Sequence, residues 1–348
     1  MYAGVVNQRA IDDASVTVVG IGDVRLAIAD ARGIDPSKVL RAVHEALELG
    51  ITLVDSSEEP EAERLCGDAV RALRLRDRVI LATRVAVLAE RPGAPGHDAL
   101  PERLPVSYVQ ERIEASLRAT RLDALPLAQL PVRSAWQSSS AWPELAGACA
   151  RLVREGKVLR WGAMLQDASA APNDEELEGA RRLADPFATV HARFGLCDRR
   201  TGALIDHPSK LPVLARAPLA GGALTGTLGP GATLSPRDDR RAIDAATLER
   251  IAVGIAKLAP LVRHEPPAAR SCDAARAVLE QGRRPQHVEA SSTAELALRY
   301  VIDRGAIALP RLHHREHIAE AIAAASAPPL SPELLATLDE IFGAARDS

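Results

Sequence analysis

A short apolar run followed by a helical stretch recurs about eight times in this chain, and that rhythm limits the folds open to it. Strands are expected at 15–21, 51–54, 79–84, 125–132, 158–163, 188–194, 211–216 and 306–309. The run at 51–54 is short and β-branched, as suits a strand covered on both faces; Pro126 and Pro131 weaken the fourth. Helices are expected between them, at 63–73, from Ser107 onward, and at 142–157, 174–183, 245–261, 272–279, 293–303, 314–325 and 332–342. An earlier helix opens at Asp35-Pro36-Ser37, with Asp at the N-cap and Pro at the first helical position, and closes at Gly50. Regular alternation implies a parallel sheet with right-handed crossovers, and eight units imply a closed (β/α)8 TIM barrel. A doubly wound open sheet is the alternative. The expected organisation is one domain over 1–348 with loop excursions near 92–105 and 263–292.

In such a barrel chemistry sits at the C-terminal ends of the strands. Asp55 stands there after the run Ile51-Thr52-Leu53-Val54. Its other reading is an N-cap of the next helix. Gly20-Ile21-Gly22-Asp23 follows the first strand as a turn, and without a third Gly opening a helix it is no dinucleotide fingerprint. Net charge is −3, so no global excess points to nucleic acid or a membrane surface, and aromatics at 3% leave few stacking platforms for bases. Cys66, Cys149, Cys197 and Cys272 show no metal or disulfide spacing, which fits a reducing cytoplasm. No signal peptide and no membrane span is expected. The expected partner is a small-molecule substrate, and the oligomeric state is left open.

Several stretches carry a resemblance. The strand ending in Asp55-Ser56-Ser57, with Glu63-Arg64-Leu65-Cys66-Gly67 after it, is similar to the aldo-keto reductase superfamily. So are Glu155-Gly156-Lys157-Val158 with the strand after it, the loop Ala217-Pro218-Leu219-Ala220-Gly221-Gly222-Ala223-Leu224-Thr225-Gly226, the segment Ala294-Glu295-Leu296-Ala297-Leu298-Arg299-Tyr300-Val301, and Pro329-Leu330-Ser331-Pro332-Glu333. The resemblance runs from about Val16 to Phe342 and implies the family's barrel. It also implies NADPH-dependent carbonyl reduction, in which a Tyr donates the proton, a Lys lowers its pKa, an Asp holds the Lys and a His orients the carbonyl.

Of that set the chain keeps Asp55. Glu59-Pro60-Glu61 occupies the place of the Tyr, Arg84 that of the Lys and Pro131 that of the His. Met164 and Leu165 stand where the family places Ser-Asn on the nicotinamide carboxamide, His191 replaces a Gln, and Arg216 replaces the ring that stacks on nicotinamide. After the last strand come Pro310-Arg311-Leu312-His313, and Ala321 stands where an adenine-binding Asn is usual. Losing a positioned acid costs roughly 10²–10⁴-fold in rate.

The principal expectation is therefore a family-fold protein that has lost hydride transfer and performs elimination, isomerisation or cyclisation on a polar or anionic small molecule. Asp55, His191 and Arg84 would be catalytic, with Arg216, Arg193, Arg311, Asp23, Glu59, Glu61 and Trp136 on the substrate. No cofactor is expected on this reading, and Met164, Leu165, Leu219, Gly221, His313 and His317 mark the vestige of a nucleotide site. Two alternatives stand beside it: a divergent NADPH-dependent reductase drawing its acid from Glu59, Glu61 or Tyr108, and a non-catalytic partner-binding barrel whose charged rim is a salt-bridge network. No metal is expected; His313, His314 and His317 read more simply as a solvated helix start than as ligands, and 237–241 as a solvated loop. Trp136 and Trp142 line a pocket or pack against the rim.

Overall fold

The computed structural model describes residues 6–88, 99–165, 173–207, 211–262 and 290–343. A two-stranded antiparallel hairpin, β1 (Gln8–Ile11) and β2 (Ala14–Thr17), precedes eight parallel strands. These are β3 (Ile21–Val24), β4 (Leu53–Ser56), β5 (Ile80–Arg84), β6 (Leu127–Val132), β7 (Trp161–Leu165), β8 (Phe187–Arg193), β9 (Val213–Arg216) and β10 (Ile307–Leu309). They pair strictly in chain order, and the sheet closes through a bridge between Val19 and Ala308. The result is the expected (β/α)8 barrel.

Closure explains the glycines that follow the first strand expectation. A Cβ on Gly22 would lie 2.1 Å from the carbonyl oxygen of Leu309, and one on Gly20 would lie 2.8 Å from the Leu53 oxygen. Only a residue without a side chain lets β3 come this close to β10. The turn is a seam of the barrel, and Asp23, at φ 48°, uses it to swing inward.

The barrel interior is layered. At the bottom Leu53, Ile80, Ala82, Leu127, Leu214, Ile307 and Leu309 form an apolar plug, sealed from below by Ile11 and Val16 of the hairpin. A much larger apolar layer lies between the strands and the surrounding helices. Helix Pro60–Ala72 carries Glu61 and Glu63 in its first turn and Arg71 in its last, complementing the helix dipole. It packs against helix Val106–Thr120 so tightly that a Cβ on Gly67 would stand 2.2 Å from the Thr120 oxygen.

Several boundaries differ from the sequence expectation. The run 15–21 is no single strand: it splits into β2 and β3, because the chain folds back as a hairpin first. The strand expected at 51–54 starts later and runs through Asp55, which is thus a strand residue and not an N-cap. The strand expected at 158–163 is shifted to Trp161–Leu165. Ser107 caps nothing: Pro105 occupies the N-cap, with no side-chain hydrogen bond. Asp35 does cap its helix, accepting from the Ser37 N–H. The excursion near 92–105 is described only from residue 99, where Leu100–Arg103 forms a short helix, and the helix expected at 272–279 lies outside the described residues.

Candidate active site

The polar residues of the interior begin one layer above the apolar plug. Strand alternation places Asp55 on β4, Arg84 on β5 and Gln129 on β6 in neighbouring registers, all pointing inward. Arg84 donates from Nε to Asp55 Oδ1 at 3.2 Å and pairs its Nη2 with the other oxygen. Its Nη1 donates to Asp23 Oδ1 at 2.9 Å. Gln129 Nε2 donates to Asp55 Oδ1 at 2.7 Å, and the backbone N–H of Asp23 donates to Oδ2 at 3.1 Å. Both oxygens of a fully buried carboxylate are thereby satisfied, as burial demands.

Asp23 extends this network to the rim. Arg311, just past β10, donates from Nε to Asp23 Oδ2 at 3.0 Å and from Nη1 to Asp239 Oδ2 at 2.8 Å. Asp239 also accepts from Arg32 at 2.6 Å. It lies in the 3-10 turn Asp239–Ala242 of a strap that follows β9; Ser235 Oγ, on the same strap, donates to the Ala31 carbonyl at 2.9 Å. The strap thus ties the segment after β9 to those after β10 and β3, its neighbours around the barrel, and an unbroken run of ion pairs leads from it to Asp55.

Charge and burial shift the titrations. Burial would raise the Asp55 carboxyl, but the Arg84 guanidinium outweighs it and holds the group below the usual range. Asp23 is also held below the usual range, by Arg84, Arg311 and Arg25 against the effect of burial. The Arg84 guanidinium is raised by Asp55 and Asp23 despite its own burial, so it does not act as an acid. His191, 1% exposed, is pushed down to about 3 by burial, with Arg84 adding to it, although its Nε2 lies only 4.0 Å from Asp55 Oδ2. It is a neutral imidazole, and neither nitrogen has a hydrogen-bond partner among the described residues.

Above the network opens a cavity of about 2370 Å³, large enough for an extended ligand and a small molecule together. Asp23, Asp55, Arg84, Arg193, Arg216 and Arg311 line it, as do Leu219, Gly221, His313 and His317. Gly221 and Gly222, at φ 67° and 96°, turn the 217–226 loop along its wall. Opposite, His313 is 7% exposed with both ring nitrogens unpartnered, and His314 and His317 meet edge to face at 5.0 Å. No cluster of metal-ligating side chains occurs among the described residues.

Other expected site residues are placed elsewhere. Glu59 accepts from the N–H groups of Leu26 and Ala27, capping a neighbouring helix. Glu61 pairs with Arg64 at the surface. Tyr108 is half-buried with its pKa raised by burial. Trp136 is 3% exposed with the Arg133 guanidinium 4.9 Å above its ring, and Trp142 stacks on Phe187. Met164 and Leu165 sit on β7, Met164 in register with His191. None of these, nor His191 itself, lines the cavity. In the charge run 237–241, Arg237, Asp239 and Arg241 are exposed, as in a solvated loop, while Asp238 is 4% exposed and paired with Arg240, and Asp239 pairs with Arg32 and Arg311. Gln129 was missed, although its place two residues after Leu127 in a strand points it inward. Arg32, Asp198 and Asp239 carry no local signal, because their partners are remote in sequence.

A model of the Aldo/keto reductase family matches residues 18–342. Among curated proteins, methylglyoxal reductase YeaE of Escherichia coli is 29% identical over 187 residues, 51% of this chain and 57% of that protein. The uncharacterized oxidoreductase YqkF of Bacillus subtilis is 26% identical over 220 residues, 61% of this chain and 64% of that protein. The chain therefore spans less than two thirds of the length of these relatives. Among solved structures, an aldo-keto reductase from Klebsiella pneumoniae in complex with NADPH has a TM-score of 0.60 at 24% identity, over 98% of this chain and 96% of that one. Glycerol dehydrogenase AKR11B4 from Gluconobacter oxydans has a TM-score of 0.68 at 20% identity, over 100% and 98%. At these identities the two structures speak for the fold. The expectation of a non-redox enzyme is overturned here: the family matched is one of reductases, and the curated relatives are named as oxidoreductases. The altered residues at the mouth misled that expectation, because substitutions in a site do not by themselves identify a different reaction.

Proposed function

Because this chain belongs to the aldo/keto reductase family, we propose that it is a divergent NADP(H)-dependent oxidoreductase acting on small carbonyl compounds. One observation carries this reading. One cavity is lined by His313, Arg311 and the Gly221-Gly222 turn and reaches down to Asp55 and Arg84, with room for a dinucleotide and a substrate at its inner end.

The residues fit the phosphate-bearing part of such a ligand. His313 presents two unpartnered nitrogens in a nearly buried place. Arg311 stands at the start of the same segment, and the Gly221-Gly222 turn lines the facing wall. The bound dinucleotide supplies the hydride, and reduction of a carbonyl then needs a hydride at carbon and a proton at oxygen.

The chain's own part is electrostatic. Arg84, fixed by Asp55 and Asp23, sets a permanent cation at the floor of the cavity, where negative charge on a carbonyl oxygen is stabilised. On this reading the proton comes from water in the cavity. Without a positioned acid the rate falls by roughly 10²–10⁴-fold, and a slow reductase is expected.

The test is a titration with NADPH and with NADH, followed by turnover of an aldehyde panel at saturating dinucleotide. Quenching of tryptophan fluorescence at roughly micromolar NADPH, with slow NADPH oxidation dependent on aldehyde, is the expected result. Absence of NADPH binding at millimolar concentration would sink the reading.

A further inference from the structure

Gln129, Thr189 and His191 form a polar group inside the barrel, apart from the mouth. Gln129 on β6, Gly162 on β7 and Thr189 on β8 are in register, and His191 lies two residues beyond Thr189, on the same face of β8. Gly162 brings the first two together. A Cβ on it would stand 2.6 Å from Thr189 Oγ1 and 3.4 Å from Gln129 Cγ, with Leu127 Cδ1 of the apolar plug at 3.5 Å. The Thr189 hydroxyl and the Gln129 side chain therefore lean over the same bare backbone, just above the plug. All three residues are at most 1% exposed, and none lines the large cavity.

Each holds polar atoms without a hydrogen-bond partner among the described residues: Gln129 Oε1, Thr189 Oγ1 and both ring nitrogens of His191. Buried polar atoms left so are costly. The amide cannot be turned to relieve this, since Gln129 Nε2 donates to Asp55 Oδ1 at 2.7 Å and a carboxylate only accepts. A neutral imidazole turns its N–H toward negative charge. Nε2 lies 4.0 Å from Asp55 Oδ2, so Nε2 carries the hydrogen and Nδ1 is an acceptor. The group thus offers two acceptors, Gln129 Oε1 and His191 Nδ1, and one hydroxyl donor, Thr189. A single water complements that set, donating twice and accepting once, and a buried water typically makes about three hydrogen bonds. An ion does not. Arg84, in register with Gln129, repels a cation, and the Asp55 carboxylate beside the same amide repels an anion.

We propose that Gln129, Thr189 and His191 bind one ordered water inside the barrel, beside Asp55. The water holds His191 in its Nε2–H form and keeps the Gln129 amide aimed at Asp55. The site goes beyond the reductase reading and does not depend on it.

The test joins crystal structures of the wild type and Thr189→Val, at a resolution that shows ordered water, to magnetic relaxation dispersion of water oxygen, which counts long-lived buried waters, and to nitrogen spectra of His191. Thr189→Val keeps the shape of the side chain and removes the hydroxyl. The wild-type map should show a water peak within hydrogen-bond distance of Thr189 Oγ1, Gln129 Oε1 and His191 Nδ1. The wild type should hold one more long-lived water than Thr189→Val, and Thr189→Ser should restore the count. His191 should show a protonated Nε2 and an unprotonated, hydrogen-bonded Nδ1, with the Nδ1 resonance moving toward its free position in Thr189→Val. A wild-type map without that peak overturns the site, as does a water count or an Nδ1 resonance that Thr189→Val leaves unchanged. If Thr189→Val does not fold, the wild-type map decides by itself.

Discussion

Arg84 and Asp55, on adjacent strands, meet through two guanidinium nitrogens and both carboxylate oxygens at 5% and 1% exposure. Such a pair is costly to desolvate, and removing one partner is more damaging than removing both. Arg84→Met should therefore lower unfolding stability by about 3–5 kcal/mol, because Asp55 is left buried and charged. The double variant Arg84→Met with Asp55→Leu should recover much of that loss. Urea unfolding of the three proteins measures it, and a single variant within about 1 kcal/mol of wild type would show that the pair is not buried as described.

Acid sensitivity should begin well above the carboxylate range. His191 falls from an ordinary 6.5 to about 3 on folding, chiefly through burial. Below pH 6.5 the unfolded chain takes up a proton that the folded one refuses, so stability drops as pH falls from there toward 3. His313, brought down to about 4 by burial and by Arg311, acts in the same direction. Asp55 and Asp23, held low, contribute stability above their unfolded values near roughly 4 and lose it as pH falls through their lower folded values. His191→Gln should reduce the slope by up to about 1.4 kcal/mol per pH unit between those limits. Melting temperature followed against pH decides this, and an unchanged slope would contradict it.

The glycines make a graded set. Gly22→Ala drives a methyl to 2.1 Å from the Leu309 oxygen and Gly67→Ala to 2.2 Å from the Thr120 oxygen. Backbone cannot yield easily at either place, and overpacking of about 1–3 kcal/mol or more is expected. Gly147 is helical with nothing within 4 Å of the added atom. Gly147→Ala should stabilise by about 0.5–1 kcal/mol through helix propensity. Thermal denaturation that ranks the three otherwise would refute the barrel seam or the helix contact.

Asp239→Asn should leave global stability within about 1 kcal/mol, because its ion pairs are partly exposed. Its effect should be local. Losing the carboxylate frees the strap from Arg311 and leaves Arg32 only its longer contact with Asp238, so proteolytic cleavage within 227–244 should quicken and, on the proposed reading, release of NADPH should speed up. Stopped-flow displacement and limited proteolysis are the readouts, and identical rates in both proteins would show that the strap is not latched by Asp239.

Much of the scaffold was legible in the amino-acid order. Eight short apolar runs, a Pro after an Asp N-cap and a left-handed Gly50 are local devices whose effects stay within a few residues, and alternation alone implied parallel pairing and closure. The order of residues also placed Asp55, Arg84, Arg193 and Arg216 near strand ends. It could not show that Gly20 and Gly22 are a seam, since the contact is with Leu309, nor that Asp239 pairs with Arg32. Tertiary structure alone decided which charges face one another, because an ion pair depends on distance in space and desolvation, not on spacing along the chain. It also separated the buried, neutral His191 from the cavity, and it turned Glu59 into a helix cap. Periodic apolar burial is written residue by residue; the electrostatics of a site exist only once remote segments are brought together and water is excluded.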